Sequence, residues 1–230
     1  MTGALPRIPD TSYGLPPVTG PEPIILILGS YPSVLSLAHG EYYGNPRNRF
    51  WAVMEELFKI PAALPYPERS LRLTKKSIAL WDVVRACTRE GSADSRIRNP
   101  VPNDIAGFVR AHPTIRLVAL NGSTAGIMYH RFAVVEGLPS ATLPSTSPAN
   151  ARVPFTEKVR QWEIVKRACI RDEKKGNGLA HHAEFQEYHM VDRVEPDQYC
   201  RSIPENGDPA YLPGQLKGTC LQNQGRPHHE

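Results

Sequence analysis

The run IILIL at 24–28, closed by Gly29, is five consecutive aliphatic residues with no polar alternation. It is far too short to cross a bilayer, which takes about 20 apolar residues. It is also too uniform for a strand with one wet face. A strand buried on both sides fits, and such a strand requires helices on both faces of its sheet. Two similar runs follow, SIALWDVV (77–84) and IRLVAL (115–120), and a weaker one lies at ATL (141–143). Apolar spacing of three and four residues predicts helices between them, over about 46–59, 103–111, 123–133 and 156–170. Strands alternating with helices predict an α/β fold, a short parallel sheet between two helical layers.

Around this core the chain changes character. Residues 1–23 are rich in proline and lack any period, the pattern of a flexible arm. The α/β domain spans 24–170, and 230 residues at 40% hydrophobic supply one sizeable core. From Arg171 the breaker RDEKKGNG opens a polar stretch, 171–230, with no sustained period, which predicts a poorly ordered tail. Cys87, Cys169, Cys200 and Cys220 are scattered without a CxxC pair, so neither a metal site nor a disulfide framework is expected. The first residues lack the charged-then-apolar layout of a signal peptide. A soluble intracellular protein is expected, nuclear in a eukaryotic cell and cytoplasmic otherwise. The formal net charge of +4 suits an anionic partner without requiring one.

In an open parallel sheet, ligands bind at the carboxyl ends of the strands. Three segments at that edge are unusual: GSYPS (29–33), LNGS (120–123) and LPSTSPAN (143–150). A fourth, YYGNPRNRFW (42–51), sets two asparagines and two arginines between aromatic pairs. Asn45 is a good helix N-cap and Pro46 suits the first helical position, so the helix is expected from 46. Asn48 then sits in the first turn among free N–H groups, a place for a water, an anion or the edge of a base.

In this order GSYPS, YYGNPRNRFW and LPSTSPAN, with ALWDVVRACTREGSADSRIRNPVPNDI (79–105) before the last, resemble the uracil-DNA glycosylase superfamily. Within it the chain is most similar to the hypoxanthine-DNA (deoxyinosine) glycosylase branch; mismatch-specific uracil/thymine glycosylases are a more distant match. The resemblance covers about 24–165. It implies a three-layer α/β/α sandwich and a monofunctional enzyme of base excision repair. That enzyme flips a deaminated base from DNA, hypoxanthine by preference, and removes it by hydrolysis as a monomer, without metal or cofactor. Uracil or mismatch excision on the same fold, and a catalytically silent nucleobase- or DNA-binding module, are the alternatives.

The resemblance also assigns residues. The base-binding set is Gly29, Ser30, Tyr31, Tyr43 and Asn121. Tyr43 supplies the ring on which the base stacks, and Asn121 the amide that reads its edge. Tyr31 stands where relatives carry a catalytic amide or carboxylate, which shifts the catalytic role to Asn48, with Asn45 as its rival. Ser33, Ser145, Thr146, Ser147, Ala149, Asn150 and Arg152 form the expected DNA contact. Ala149 holds the wedge position, where a larger apolar residue is frequent, so Asn150 or Arg152 is expected to assist it.

Overall fold

The computed structural model describes residues 11–170. The expected polar tail, 171–230, and the first ten residues lie outside the described residues. Along the chain run β1 (Ser12–Tyr13), β2 (Ile25–Gly29), α1 (Val34–His39), α2 (Phe50–Phe58), α3 (Tyr66–Thr74), β3 (Ile78–Asp82), β4 (Val84–Thr88), β5 (Arg98–Pro102), α4 (Ile105–Ala111), β6 (Leu117–Asn121), α5 (Ser123–Phe132), β7 (Ser140–Leu143) and α6 (Phe155–Ile170). No helix among the described residues is long and apolar enough to cross a membrane.

The central sheet is four-stranded and parallel, in the order β3-β2-β6-β7. Ile25 to Leu28 are fully buried because alternate side chains enter opposite cores. Ile25, Ile27, Leu80 and Ala119 join Phe50, Met54, Leu73 and Trp162 from α2, α3 and α6. Leu26, Leu28, Ala79 and Val118 join Ile105 of α4 and Tyr129 of α5 on the other face. Three layers result, as the uninterrupted aliphatic runs require.

Several local expectations are corrected. SIALWDVV is not one strand: β3 ends at Asp82, and the chain enters a second, antiparallel sheet of order β1-β4-β5. The segment 1–23 is not a loose arm where it is described. Ser12 and Tyr13 pair with Cys87 and Ala86, and Val18 exchanges backbone hydrogen bonds with Leu80 at 2.9 and 2.8 Å. Proline removes donors but leaves the intervening residues free to pair at a sheet edge, so proline content alone misjudged this stretch. The helix expected from residue 46 starts at Phe50. Asn45 accepts the Arg47 amide at 3.0 Å in a separate turn, and it is Asn48 whose Oδ1 accepts the Phe50 amide at 3.0 Å. Arg49 is thus the N-cap of α2, with no side-chain cap bond, and Asn48 closes the turn just before it instead of Asn45 capping the helix.

Phe50 ties α2 to α6 over one face of the sheet. It is fully buried, stacks on Tyr43 at 3.9 Å between centroids, and meets Trp51 and Trp162 edge-on. Phe50→Ala should lower unfolding free energy by about 3–5 kcal/mol, read as a reduced urea midpoint with an unchanged slope.

Candidate active site

Parallel register places the strand ends in one row. Gly29 lies opposite Asp82 on one side; Leu28 pairs with Leu120 on the other, which brings Asn121 alongside, and Asn121 pairs with Leu143. The loops that follow β2, β3, β6 and β7 therefore start from one level at the carboxyl edge.

Gly29 is tightly constrained: a Cβ there would lie 2.3 Å from Asp82 Oδ1 and 3.6 Å from the Tyr43 hydroxyl. Any side chain would collide with the carboxyl. Asp82 is 4% exposed, and burial pushes its pKa up to about 8, with Asp94 reinforcing the shift and Arg89 opposing it. Tyr43 has a left-handed backbone, φ 57°, which is uncommon for an aromatic residue. Its neighbours hold it there: the Tyr42 carbonyl accepts the Trp51 indole N–H at 3.1 Å, and the Gly44 amide donates to Ser36 Oγ at 3.2 Å. Burial raises the pKa of the Tyr43 hydroxyl; Asp82 adds to that and the nearby Asn121 amide opposes it.

The β6 and β7 loops are clamped together. Asn121 Nδ2 donates to Thr146 Oγ1 at 2.9 Å, and Asn121 Oδ1 accepts the Thr146 amide at 2.9 Å. The Thr146 carbonyl in turn accepts the Arg49 amide at 2.9 Å, fixing the NPRN turn to both. Gly122, at φ 102°, permits this approach, since a Cβ there would sit 2.8 Å from Ser145 Cβ. Lys158 of α6 is 3% exposed and donates to the carbonyls of Ser145 at 2.6 Å and Asn150 at 2.7 Å. Burial lowers its pKa, and Arg49 adds to the effect.

Residues 16–167 match the Uracil DNA glycosylase superfamily. Two relatives named Hypoxanthine DNA glycosylase are similar: one from Methanosarcina acetivorans, 38% identical over 67% of this chain and 97% of its own length, and one from Methanosarcina barkeri, 34% identical over 67% and 98%. A solution NMR structure of a candidate uracil DNA glycosylase from Methanosarcina acetivorans superposes with a TM-score of 0.62 at 36% identity. It covers 70% of this chain and 99% of its own. The chain belongs to the uracil DNA glycosylase superfamily. The enzyme class of that superfamily is DNA glycosylase, a hydrolase of N-glycosidic bonds.

In this glycosylase the expected site residues divide. Gly29, Tyr43 and Asn121 converge on the strand-end row, and Asn48 joins them through its neighbours: Arg49 bonds to Thr146, and Phe50 stacks on Tyr43. Asn45 stays in its own turn. The amides of Ser30 and Tyr31 make no hydrogen bond among the described residues. Their side chains point elsewhere, and here the expectation is corrected. Ser30 Oγ donates to Asp94 at 2.7 Å. The Tyr31 ring is buried with Val84, Cys87 and Ile97, its hydroxyl lies 2.7 Å from Ser12 Oγ, and the Arg89 guanidinium covers it at 4.7 Å. The first loop can thus offer only backbone to a ligand. Ser33, expected as a DNA contact, is the N-cap of α1, accepting the Ser36 amide at 3.1 Å. Thr146 is fully buried in the Asn121 clamp, which removes its side chain from any phosphate. Ser145, Ser147 and Asn150 are half-buried, while Ala149 and Arg152 are exposed at the tip of the same loop.

Sequence reasoning missed Asp82 and Lys158. The signal for Asp82 was present: a lone carboxylate ends an aliphatic run at the same level as Gly29. Nothing in the sequence marks Lys158 apart from other helical lysines.

Two expectations follow. Thr146→Val leaves the Asn121 Nδ2 without its partner in a closed site and should cost about 1–3 kcal/mol, measured by thermal unfolding. Asp82 keeps its proton in the folded chain between the usual carboxylate value, 3.8, and about 8, whereas the unfolded chain loses it near 3.8. The folded state then binds the extra proton, so this group's contribution to stability falls as pH rises from about 4 to about 8 and is constant above. Asp82→Asn should gain in melting temperature over the wild type at pH 8 relative to pH 4; equal differences at both would show that Asp82 ionises normally.

Proposed function

We propose that this glycosylase flips a deaminated base, hypoxanthine by preference, out of duplex DNA and hydrolyses its N-glycosidic bond as a monomer. The observation that carries this reading is the state of Asn48. Its Oδ1 is committed to the Phe50 amide, while its Nδ2 has no partner among the described residues. A donor held in place by the amide of Phe50, the residue whose ring stacks on Tyr43, suits a reaction that places negative charge on the departing base. The names of the two Methanosarcina relatives support hypoxanthine as the preferred substrate.

Water adds its oxygen to the sugar C1′ as the C1′–N bond breaks. The base departs with the bonding electrons and takes up a proton, and the attacking water releases one. Asn48, being neutral, orients the water or stabilises the base and does not act as a strong base. Tyr43 stacks on Phe50 by one face, leaving the other for the extruded base, where stacking is worth about 1–3 kcal/mol. Lys158, the α6 amine that reaches the β7 loop, is held by two carbonyls and so does not serve as a lyase nucleophile. That supports a monofunctional reaction. Ser145, Ser147, Asn150 and the exposed Arg152 supply the phosphate contact, and Ala149 enters the vacated stack.

Single-turnover assays on duplexes carrying inosine or uracil, followed by alkali, test the reading: strand scission should be faster from inosine, and absence of scission from both would overturn it. Asn48→Ala should slow excision by about 10²–10³ and lower stability by about 1 kcal/mol through the lost bond to the Phe50 amide. Asn45→Ala should leave the rate nearly unchanged, and a folded but inactive Asn45→Ala would move the catalytic role to Asn45.

A further inference from the structure

The first loop, 29–33, is held from one side by the chain that follows β3. The Gly29 carbonyl accepts the Val83 amide at 2.9 Å, and the Ser30 carbonyl accepts the Val84 amide at 3.1 Å. The turn between β4 and β5 supplies the other ties. Ser30 Oγ donates to Asp94 Oδ2 at 2.7 Å, the Pro32 carbonyl accepts Arg89 Nη2, and the Val34 amide donates to Ser92 Oγ at 3.0 Å. These ties occupy the loop's carbonyls and the Ser30 hydroxyl, and they leave the Ser30 and Tyr31 amides unused. Both residues are buried, and buried donors are nearly always paired.

The direction of the two amides follows from the same bonds. Every peptide here is trans, so each N–H points opposite to the carbonyl of its own peptide unit. The Gly29 and Ser30 carbonyls both turn toward the strand that continues β3, whereas successive carbonyls of a regular strand alternate. The Ser30 and Tyr31 N–H groups therefore both turn the other way, toward β6, which lies across β2 from β3 and ends in Asn121. Two successive amides turned to one side form a concavity suited to negative charge.

Arg89 is the costly part of this arrangement. Its side chain is 2% exposed, its guanidinium lies 4.7 Å from the Tyr31 ring, and Nη1 is buried without a hydrogen-bond partner. Asp94 stands off at 4.0 Å, with its other oxygen on Ser30. A buried cation with so loose a partner adds little stability, so fold alone does not account for it.

We propose that Asp94 and Arg89 are positioning residues for excision, which set the first loop from the β4–β5 turn so that the Ser30 and Tyr31 amides donate to the departing base. The inference rests on the glycosylase reading above and adds what prepares the site for the charge. As the C1′–N bond breaks, its electron pair stays on the base, and donors fixed in advance stabilise that charge without reorganising. Asp94 acts through the Ser30 hydroxyl and Arg89 through the Pro32 carbonyl, one on each side of Tyr31. With Tyr31 packed below, the loop keeps its shape although its side chains face away from the ligand.

The test uses the full chain, with single-turnover excision of inosine by wild type, Asp94→Asn, Asp94→Ala, Ser30→Ala, the Ser30→Ala/Asp94→Ala double variant and Arg89→Met, beside thermal unfolding of each. Asp94→Ala and Arg89→Met should lower the maximal rate by about 10², the scale for misplacing a reacting group, with the half-saturating enzyme concentration changed less than about twofold. Asp94→Asn still accepts from Ser30 Oγ and should stay within about fivefold of wild type, well inside that scale. Ser30→Ala should match Asp94→Ala, and the double variant should be no slower than either, because both break one tie. A folded Asp94→Ala within about threefold of the wild-type rate would overturn the inference. So would a loss confined to the half-saturating concentration, additive slowing in the double variant, or a folded Asp94→Asn as slow as Asp94→Ala. Should Arg89→Met not fold, the Ser30 and Asp94 variants decide. If wild type cleaves neither inosine nor uracil duplexes, the glycosylase reading falls by itself. Calorimetric binding of free hypoxanthine then decides the inference. Affinity lost in Asp94→Ala and kept in Asp94→Asn supports it; equal affinity in all three, or no binding to wild type, overturns it.

Discussion

Gly29 lacks a side chain, and Asp82 Oδ1 lies where its Cβ would be, at 2.3 Å. The register of β2 and β3 brings these two residues opposite each other, and the interior that buries β2 on both faces also withdraws Asp82 from water. Fix that contact, and the position of Tyr43 follows, since its hydroxyl closes the same space while its ring rests on Phe50. From Phe50 the constraint passes into α2 and, through the edge contact with Trp162, into α6. A close approach between one glycine and one carboxyl thus reaches the sheet and two helices of the layer that covers one of its faces.

The other half of the edge is organised by hydrogen bonds instead of packing. Asn121, Thr146 and Arg49 tie three loops that are distant in sequence, using side chain to backbone, side chain to side chain and backbone to backbone bonds. Lys158 then secures the far side of the β7 loop from α6. Such a closed set is cooperative: losing one member leaves a buried group unpaired, which costs more than the bond itself contributes. The benefit for a glycosylase is positional. The segments proposed to hold base and phosphate start from a framework that has little freedom to move.

Beneath the first loop lies a platform that accounts for the tyrosine in GSYPS. Tyr31 turns into the small antiparallel sheet, where Arg89 covers its ring and Ser12 meets its hydroxyl. The β1 pairing that brings Ser12 there comes from the proline-rich segment. A residue that looks like a lost catalytic group in the sequence is a structural one in three dimensions, and it anchors the segment before β2.

The parallel sheet, its two helical covers and the loops at its carboxyl edge were legible in the sequence, because continuous aliphatic runs have few other ways to be buried. The family was legible too, since NPRNRFW, GSYPS and PSTSPAN are local strings. What the sequence left open depends on partners far along the chain. Asn121 looked free until Thr146 was found against it; Asn45 looked like the cap of α2 until the turn geometry moved the helix start to Phe50. Asp82 looked like an ordinary strand-end residue until strand pairing buried its carboxyl beside Gly29. Periodicity and propensity act over a few residues and are written into the chain. Hydrogen-bond satisfaction and desolvation are properties of neighbours brought together by register, so only the tertiary structure decided which polar groups remained free for a base.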